Sequence, residues 1–398
     1  MPTNKRLLLA ALLLSLPIAV AAVEPVKIGV VGPYTGGSSP MGLSMRNGVR
    51  LAAMEINRRG GVLGRILVLV ERDDEARPER GVSVARELIE NENIVATLGF
   101  INTGVALASQ RYYQDAKIPV LTNVAVGSLI TRQFLPPRYP DNYIFRVAVT
   151  GEVEASMIVD DAVVRHQYTR VAVFADNTNY GQSGREDLER ALIRKGLKAV
   201  VVEKFNVKDV DMSAQLLRAK AAGAQVLLTY GIGPELAQLA NGMARLGWTV
   251  PLIGSWTLSM DNFIDNAGPH AEGARMPQTF IQQPNTPRRA VFIEDYRRHF
   301  GVQRIPSAVA AAQGYDSMHL LAAAIRQAGS TEGPKIRQAL ENLRTPVAGV
   351  ITVYDRPFSH ANHEAITADI AVMGEIKDGR IVHAYEEDRQ RRPIPQGP

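Results

Sequence analysis

Carboxylates are concentrated at residues 71–75, where the sequence is ERDDE. Such a density of acids could serve general acid–base catalysis or hold a metal ion. However, Arg72 lies inside this segment, Arg77 follows it, and Pro78 is well placed to begin a helix. The pattern therefore favours a solvated turn with an aspartate that caps the next helix.

Histidine and glycine patterns give no catalytic or cofactor site either. His360 and His363 are three residues apart in a predicted loop, and the seven histidines show no metal-ligand spacing. Residues 29–37 (GVVGPYTGG) lack the G-x-G-x-x-G pattern of a dinucleotide fingerprint. No serine, histidine and aspartate can be assigned to a nucleophilic triad. We therefore predict a protein without enzymatic activity, cofactor or metal.

The composition is that of a globular chain with about two domains. The 398 residues are 46% hydrophobic and 21% charged, with a net charge of +5. Lysine and arginine occur at most two in a row, so we expect no nucleic-acid partner.

The amino terminus has the pattern of a secretory signal. Lys5 and Arg6 precede an almost wholly apolar stretch, residues 7–20, and small residues end at Ala22. The stretch is shorter than the roughly 20 residues of a membrane-spanning helix. We expect a signal peptide at residues 1–22 and a periplasmic product. Because the chain has no cysteine, we expect no lipid anchor.

The remaining chain alternates apolar strand patterns with amphipathic helix patterns, twice over. This alternation is typical of α/β units in which helices cover both faces of a parallel sheet. The predicted strands are residues 26–31, 66–70, 94–99 and 118–121, then 170–174, 199–205, 225–230 and 251–253. Residues 139–151 connect the two units, and residues 386–398 are polar and proline-rich enough to be disordered.

Ligands of such sheets bind where the loops after the strands converge. These loops are rich in glycine, hydroxyl and aromatic residues and poor in charge, which suits a small organic molecule. They comprise residues 32–42, 99–104, 122–128, 176–184, 230–235 and 254–259.

Five segments together resemble one known family across nearly the whole chain. They are VKIGVVGPYTG, GVRLAAMEINRRGGVLGR, RDDEARPERGVSVARELI, NYGQSG and AAQGYDSMHLLAAAI. The chain is similar to the periplasmic solute-binding proteins of leucine/isoleucine/valine (branched-chain amino acid) ABC importers, which are type I periplasmic binding proteins.

The resemblance implies an α/β fold of two Rossmann-like lobes joined by a three-segment hinge. The first lobe would comprise residues 23–147 and 279–353, and the second residues 148–278 and 354–385. The resemblance also implies a monomer that clamps a solute between the lobes and delivers it to the permease subunits of an ABC importer.

A set of ligand-binding residues is also implied by the resemblance. Ile101, Asn102 and Thr103 would hold a ligand carboxylate, and Tyr180 would close on the ligand from the second lobe. The other positions would line the site, with Tyr230 and Ile232 as alternatives for one place in it. They are Met41, Val124, Val126, Tyr230, Ile232 and Trp256.

Two positions depart from the family's amino-acid binders. Val126 stands where those proteins have a threonine and Trp256 where they have a glutamate, and neither side chain can accept a hydrogen bond from an ammonium group. A flat apolar wall instead suits an aromatic ring or an aliphatic chain. We predict a carboxylic acid without an α-ammonium, with branched-chain amino acids as the alternative.

Three residues have a structural alternative. Thr103 could be a helix cap, Tyr180 a packing residue and Trp256 a core residue. The competing functions are a ligand-sensing receptor or repressor module of the same fold and, third, a periplasmic enzyme such as an amide hydrolase.

Overall fold

The computed structural model describes residues 24–390, so the predicted signal peptide and the last eight residues lie outside the described part. The strands are β1 (Val26–Gly32), β2 (Leu67–Asp73), β3 (Ala96–Gly99), β4 (Val120–Thr122), β5 (Ile144–Arg146), β6 (Val171–Asp176), β7 (Val201–Phe205), β8 (Val226–Tyr230), β9 (Leu252–Gly254), β10 (Arg275–Gln278), β11 (Val347–Ala348), β12 (Val353–Tyr354), β13 (Val372–Lys377) and β14 (Arg380–His383). The helices are α1 (Ser39–Arg58), α2 (Pro78–Glu90), α3 (Thr103–Asp115), α4 (Leu129–Arg132), α5 (Gly151–Val159), α6 (Asn179–Arg194), α7 (Ser213–Ala221), α8 (Gly233–Arg245), α9 (Asp261–Ala267), α10 (Pro287–Phe300), α11 (Ala308–Ala328), α12 (Gly333–Glu341) and α13 (Glu386–Gln390).

The first sheet is parallel throughout, in the order β2-β1-β3-β4-β5. Helices α2 and α3 pack together, as do α1 and α11. The last pair approaches closely because both helices carry a glycine at the contact. A Cβ on Gly48 would lie 2.0 Å from the Ala311 carbonyl oxygen, and one on Gly314 would lie 2.3 Å from that of Met45. We call this sheet and its helices the first lobe.

The second sheet has the order β14-β13-β10-β9-β8-β6-β7, in which β13 is antiparallel to both of its neighbours, β10 and β14, and the other pairs are parallel. Alternate residues of β6 enter two different cores, since successive side chains of a strand point to opposite faces. Phe174 packs in the core that contains residues of α7, α8 and α9, and Val173 packs in the core with α5 and α6. We call this sheet and its helices the second lobe. The predicted α/β class and two-unit organisation are confirmed.

Residues 147–150, 279–286 and 355–371 connect the two sheets. Residues 355–371 differ from the predicted division, which assigns residues 354–385 to the second lobe. Phe358 packs edge-on against Phe145 of β5 with ring centroids 5.0 Å apart, and His363 stacks on the same ring at 3.9 Å. Ala365 N also donates to the Arg146 carbonyl. Aromatic packing and backbone pairing thus hold residues 358–365 on the first lobe.

Helix α13 replaces the first part of the tail that we expected to be disordered. Asp388 in this helix is buried, and its carboxylate accepts a hydrogen bond from Met373 N at 3.2 Å. This contact ties residues 386–390 to β13. The rest of the predicted disordered tail lies outside the described residues.

The acidic segment spans the end of β2 and the turn that follows it. The predicted aspartate cap is wrong, because the N-cap position of α2 is Arg77, which makes no side-chain capping hydrogen bond, and one of the aspartates is buried. Asp73 accepts hydrogen bonds from the backbone N–H groups of Tyr34 and Glu75, and Asp74 accepts one from Ala76. Asp74 is fully buried, and that burial raises its pKa to about 7. Within residues 24–390, no group of three or more histidine or acidic side chains could hold a metal ion. No helix in this range is long and apolar enough to span a membrane.

Candidate ligand-binding site

The loops at the carboxyl ends of the two sheets meet each other. Asn262 of α9 donates from Nδ2 to the Gly37 carbonyl at 3.0 Å, and Asp261 N donates to the Pro306 carbonyl at 3.0 Å. The predicted ligand-binding residues come from these facing loops. Most of them are buried in the structure.

The loop after β3 places two polar side chains at the start of α3. Asn102 donates from Nδ2 to Ser38 Oγ at 3.1 Å, which fixes the Asn102 side chain against the loop between β1 and α1. Thr103 is only 1% exposed, and its hydroxyl has no hydrogen-bond partner among the described residues. The hydroxyl does not cap the helix, because Asn102 occupies the N-cap position. A buried, unsatisfied hydroxyl at a helix amino terminus suits an anionic oxygen.

Replacement of Thr103 by valine is expected to weaken the binding of a carboxylate-bearing solute by about 1.5–3 kcal/mol, the range of a hydrogen bond to a charged group. Valine keeps the shape but removes the donor, so folding should change little. Isothermal calorimetry measures the loss, and Thr169→Val, at an exposed position, is the control. An unchanged dissociation constant would exclude Thr103 from the site.

The loop after β4 accepts a hydrogen bond from a buried arginine. Arg146 is fully buried and donates from Nη1 to the Gly127 carbonyl at 2.8 Å. Its Nε and Nη2 each donate to the carboxylate of Glu364 at 2.6 Å. Val124 and Val126, the predicted site residues of this loop, are both buried. Sequence reasoning missed this pair, because 218 positions separate Arg146 from Glu364.

On the second lobe, Tyr180 and Tyr230 form one aromatic unit. Their rings meet edge-on, with centroids 5.4 Å apart. Tyr230 is completely buried beneath α6, where Gly184 leaves room for its ring. A Cβ added to Gly37 would lie 3.6 Å from the Ile232 side chain. Of the two alternatives, Ile232 therefore meets the opposite lobe, whereas Tyr230 lies behind Tyr180.

Trp256 begins the short helical turn that follows β9 and is 5% exposed. Its ring packs in an apolar cluster shared with the first lobe, which also contains Met41 and Ile101. Trp256 and Val126 line the same small cavity of about 10 Å³, with Val149 and Val309. The two positions at which the sequence departs from the family pattern are therefore neighbours.

A second cavity, of about 110 Å³, lies at the hinge. It is bounded by α10, the β11–β12 hairpin and β14, and none of the ten predicted site residues lines it.

Glu154 is a further polar group at the site that sequence reasoning missed. It lies in the first turn of α5 and is completely buried. Its carboxylate accepts a hydrogen bond from Trp256 N at 2.7 Å and one from the Tyr230 hydroxyl at 2.8 Å. Burial raises the pKa of Glu154 to about 7, and its two hydrogen-bond donors lower the pKa only in part. Nothing in the local sequence distinguishes Glu154 from Glu152, which pairs with Arg132 on the surface.

The pKa of the Tyr180 hydroxyl depends in part on the Glu154 carboxylate. This hydroxyl is buried without a partner that meets hydrogen-bond geometry, although Ser255 and Thr257 lie close enough to affect its titration. Burial and the Glu154 carboxylate raise the pKa of Tyr180 well above its usual value, so the phenol stays protonated and can donate. The site thus combines hydroxyl donors, an apolar wall and one carboxylate.

Two α/β lobes with facing loops, an enclosed apolar wall and unsatisfied polar groups define a protein that encloses a small molecule. The model of the periplasmic binding protein family matches residues 25–380, and the chain belongs to that family.

Known relatives agree with this assignment over most of the chain. An amino acid binding protein of Pseudomonas aeruginosa is 28% identical over 329 residues, which cover 82% of this chain and 84% of the relative. A type 1 periplasmic binding protein of Bordetella pertussis, 27% identical, superposes with a TM-score of 0.82 over 90% of this chain and all of its own. An ABC-transporter solute-binding protein of Rhodopseudomonas palustris, solved with 3,4-dihydroxybenzoic acid, is 21% identical and shares the fold, with a TM-score of 0.76 over 90% of this chain and 95% of its own.

The family consists of non-enzymatic substrate-binding proteins of transporters. This chain is accordingly a solute-binding protein of the ABC-transporter type. The expected family membership and the absence of an enzymatic role follow from that assignment.

Proposed function

We propose that this protein is an extracytoplasmic binding component that clamps a small carboxylate-bearing solute between its lobes. The observation that carries the proposal is the buried Thr103 hydroxyl at the start of α3, which has no hydrogen-bond partner among the described residues. An anion gains both the hydroxyl donor and the positive end of the helix dipole. The apolar part of the solute would lie against Trp256, Val126 and Tyr180.

The same proposal covers location and partners. The signal pattern of residues 1–22 supports export to the periplasm, and the absence of cysteine supports a freely diffusing product. We propose that the protein works as a monomer and passes its solute to the membrane permease subunits of an ABC importer.

Two candidates remain for the rest of the solute. An aromatic or aliphatic acid without an α-ammonium is supported by Trp256 and Val126, which offer an apolar wall and no side-chain acceptor. An amino acid, branched-chain or similar, is supported by Glu154, which puts a carboxylate directly against the backbone of Trp256. Both candidates share the carboxylate that Thr103 would hold.

A thermal-shift screen of paired compounds tests the proposal. Each amino acid is compared with its deaminated acid, for example phenylalanine with 3-phenylpropanoate and leucine with 4-methylpentanoate, and responders are measured by calorimetry. A solute that binds only the folded protein raises the melting temperature as its concentration increases. We expect saturable binding of at least one carboxylic solute and none of the matching amide. Equal binding of acid and amide would contradict the proposal.

A further inference from the structure

Glu154 is a buried acid whose charge no basic side chain balances. Among the described residues, no lysine, arginine or histidine forms an ion pair with it, whereas its neighbour Glu152 pairs with Arg132. Burial of an isolated carboxylate is costly unless the charge is paired or the group becomes neutral. Two hydrogen-bond donors offset part of this cost, but each oxygen of the carboxylate can still accept a further hydrogen bond.

None of the described groups that face Glu154 supplies a cation. Tyr230 of β8 donates to it, and Tyr180 of α6 contributes a neutral phenol. Asp187, also on α6, adds a repulsive charge that Arg190 only partly offsets, since Arg190 bonds to Asp187 directly. The surroundings of Glu154 are therefore neutral or negative.

The position of Glu154 places its unbalanced charge at the junction of the lobes. Helix α5 begins at Gly151, whose N–H donates to the Val126 carbonyl of the first lobe at 2.8 Å. One turn later, Glu154 reaches the backbone of Trp256, and Trp256 and Val126 line the same cavity. The Glu154 carboxylate is also close enough to raise the pKa of the Tyr180 hydroxyl. Glu154 thus lies where the two lobes meet, directly behind the backbone of the wall residue Trp256.

We infer that Glu154 is a specificity-determining residue: its carboxylate accepts a hydrogen bond from an ammonium group that the solute carries beside its own carboxylate. The solute then supplies the missing cation, and the buried charge is paired only when the site is occupied. This inference rests on the proposed function and chooses between its two candidates.

The test compares wild-type protein with Glu154→Gln and with the control Glu152→Gln, which removes an exposed acid from the same helical turn. Calorimetry measures the dissociation constants of leucine, 4-methylpentanoate, phenylalanine and 3-phenylpropanoate. We expect Glu154→Gln to weaken amino-acid binding by about 10–100-fold, as for loss of a charge-assisted hydrogen bond, and to change the binding of the deaminated acids by less than about threefold. The control should resemble wild type for all four compounds.

Wild-type protein provides a second readout that does not require the variant to fold. Because the pKa of free Glu154 is about 7, the carboxylate becomes protonated as the pH falls through 7, whereas the solute ammonium stays charged. Amino-acid affinity should therefore fall severalfold between pH 8 and pH 6, and the affinity for deaminated acids should not follow it. In Glu154→Gln, this pH dependence should be absent.

The outcomes separate this inference from the proposed function. If neither amino acids nor deaminated acids bind, the proposed function fails and the inference fails with it. If solutes bind but Glu154→Gln affects acids and amino acids equally, or affects neither, only the inference is overturned. A wild-type affinity for amino acids that is flat from pH 6 to pH 8 would overturn it as well.

Discussion

Replacement of Arg146 by methionine is expected to lower the free energy of unfolding by about 3–5 kcal/mol, because removal of one partner of a buried ion pair leaves the other charge uncompensated. Arg146 is fully buried, and its two hydrogen bonds to Glu364 are the bidentate kind that arginine makes best. Methionine fills much of the same volume but restores neither bond. Urea denaturation measures the loss.

Arg132→Met is the matched control for this prediction. Arg132 also makes a bidentate pair, with Glu152, but the two side chains are 51% and 40% exposed. Exposed pairs contribute about 0–1 kcal/mol, so this variant should unfold almost like wild type. Equal losses in both variants would contradict the role assigned to burial.

Solute affinity should fall in Arg146→Met as well. The arginine bonds to the Gly127 carbonyl in the loop that carries Val124 and Val126, so its loss should free that loop. Affinity is measured at a temperature at which the variant is fully folded by circular dichroism. A folded variant with wild-type affinity would show that the loop does not depend on Arg146.

The second large effect is expected for Gly184→Val, which should displace Tyr230. A Cβ at position 184 would lie 2.2 Å from the Tyr230 ring, which is shorter than a van der Waals contact allows, and the ring is fully buried. Displacement would break the hydrogen bond from Tyr230 to Glu154 and the edge contact with Tyr180. We expect a stability loss of about 1–3 kcal/mol, as for overpacking, and a loss of solute affinity of more than about tenfold.

Ser183→Val provides the control for this variant. Ser183 is the neighbouring residue of α6 and is only half-buried, so the same side chain at position 183 tests the effect of valine on helix propensity alone. This control should retain solute affinity. If Gly184→Val binds solute like Ser183→Val, the two tyrosines do not form part of the binding wall.

The fold class follows from local patterns because each strand and helix carries its own signal. Residues 26–31 are apolar except for Lys27, as expected for a buried parallel strand, and the structure places β1 at Val26–Gly32. The sequence pattern is less informative for segments whose structure depends on contacts with residues far away in the chain. Residues 358–365 lack a strong periodic pattern, and their place on the first lobe depends on Phe145 and Arg146, more than 200 positions away.

The candidate site also has features that follow from the sequence and others that only the structure shows. The sequence by itself determined which loops face the cleft, since the loops after parallel strands meet at one edge of each sheet, and its family resemblance predicts Thr103, Tyr180 and Trp256 as site residues within them. Only the tertiary structure decided that Ile232 meets the opposite lobe while Tyr230 lies behind Tyr180. Only the tertiary structure brought Glu154 to the backbone of Trp256, 102 positions later. The physical reason is that the environment of a buried charge is set by the packing of separate helices and strands, and neighbours in the sequence do not specify it.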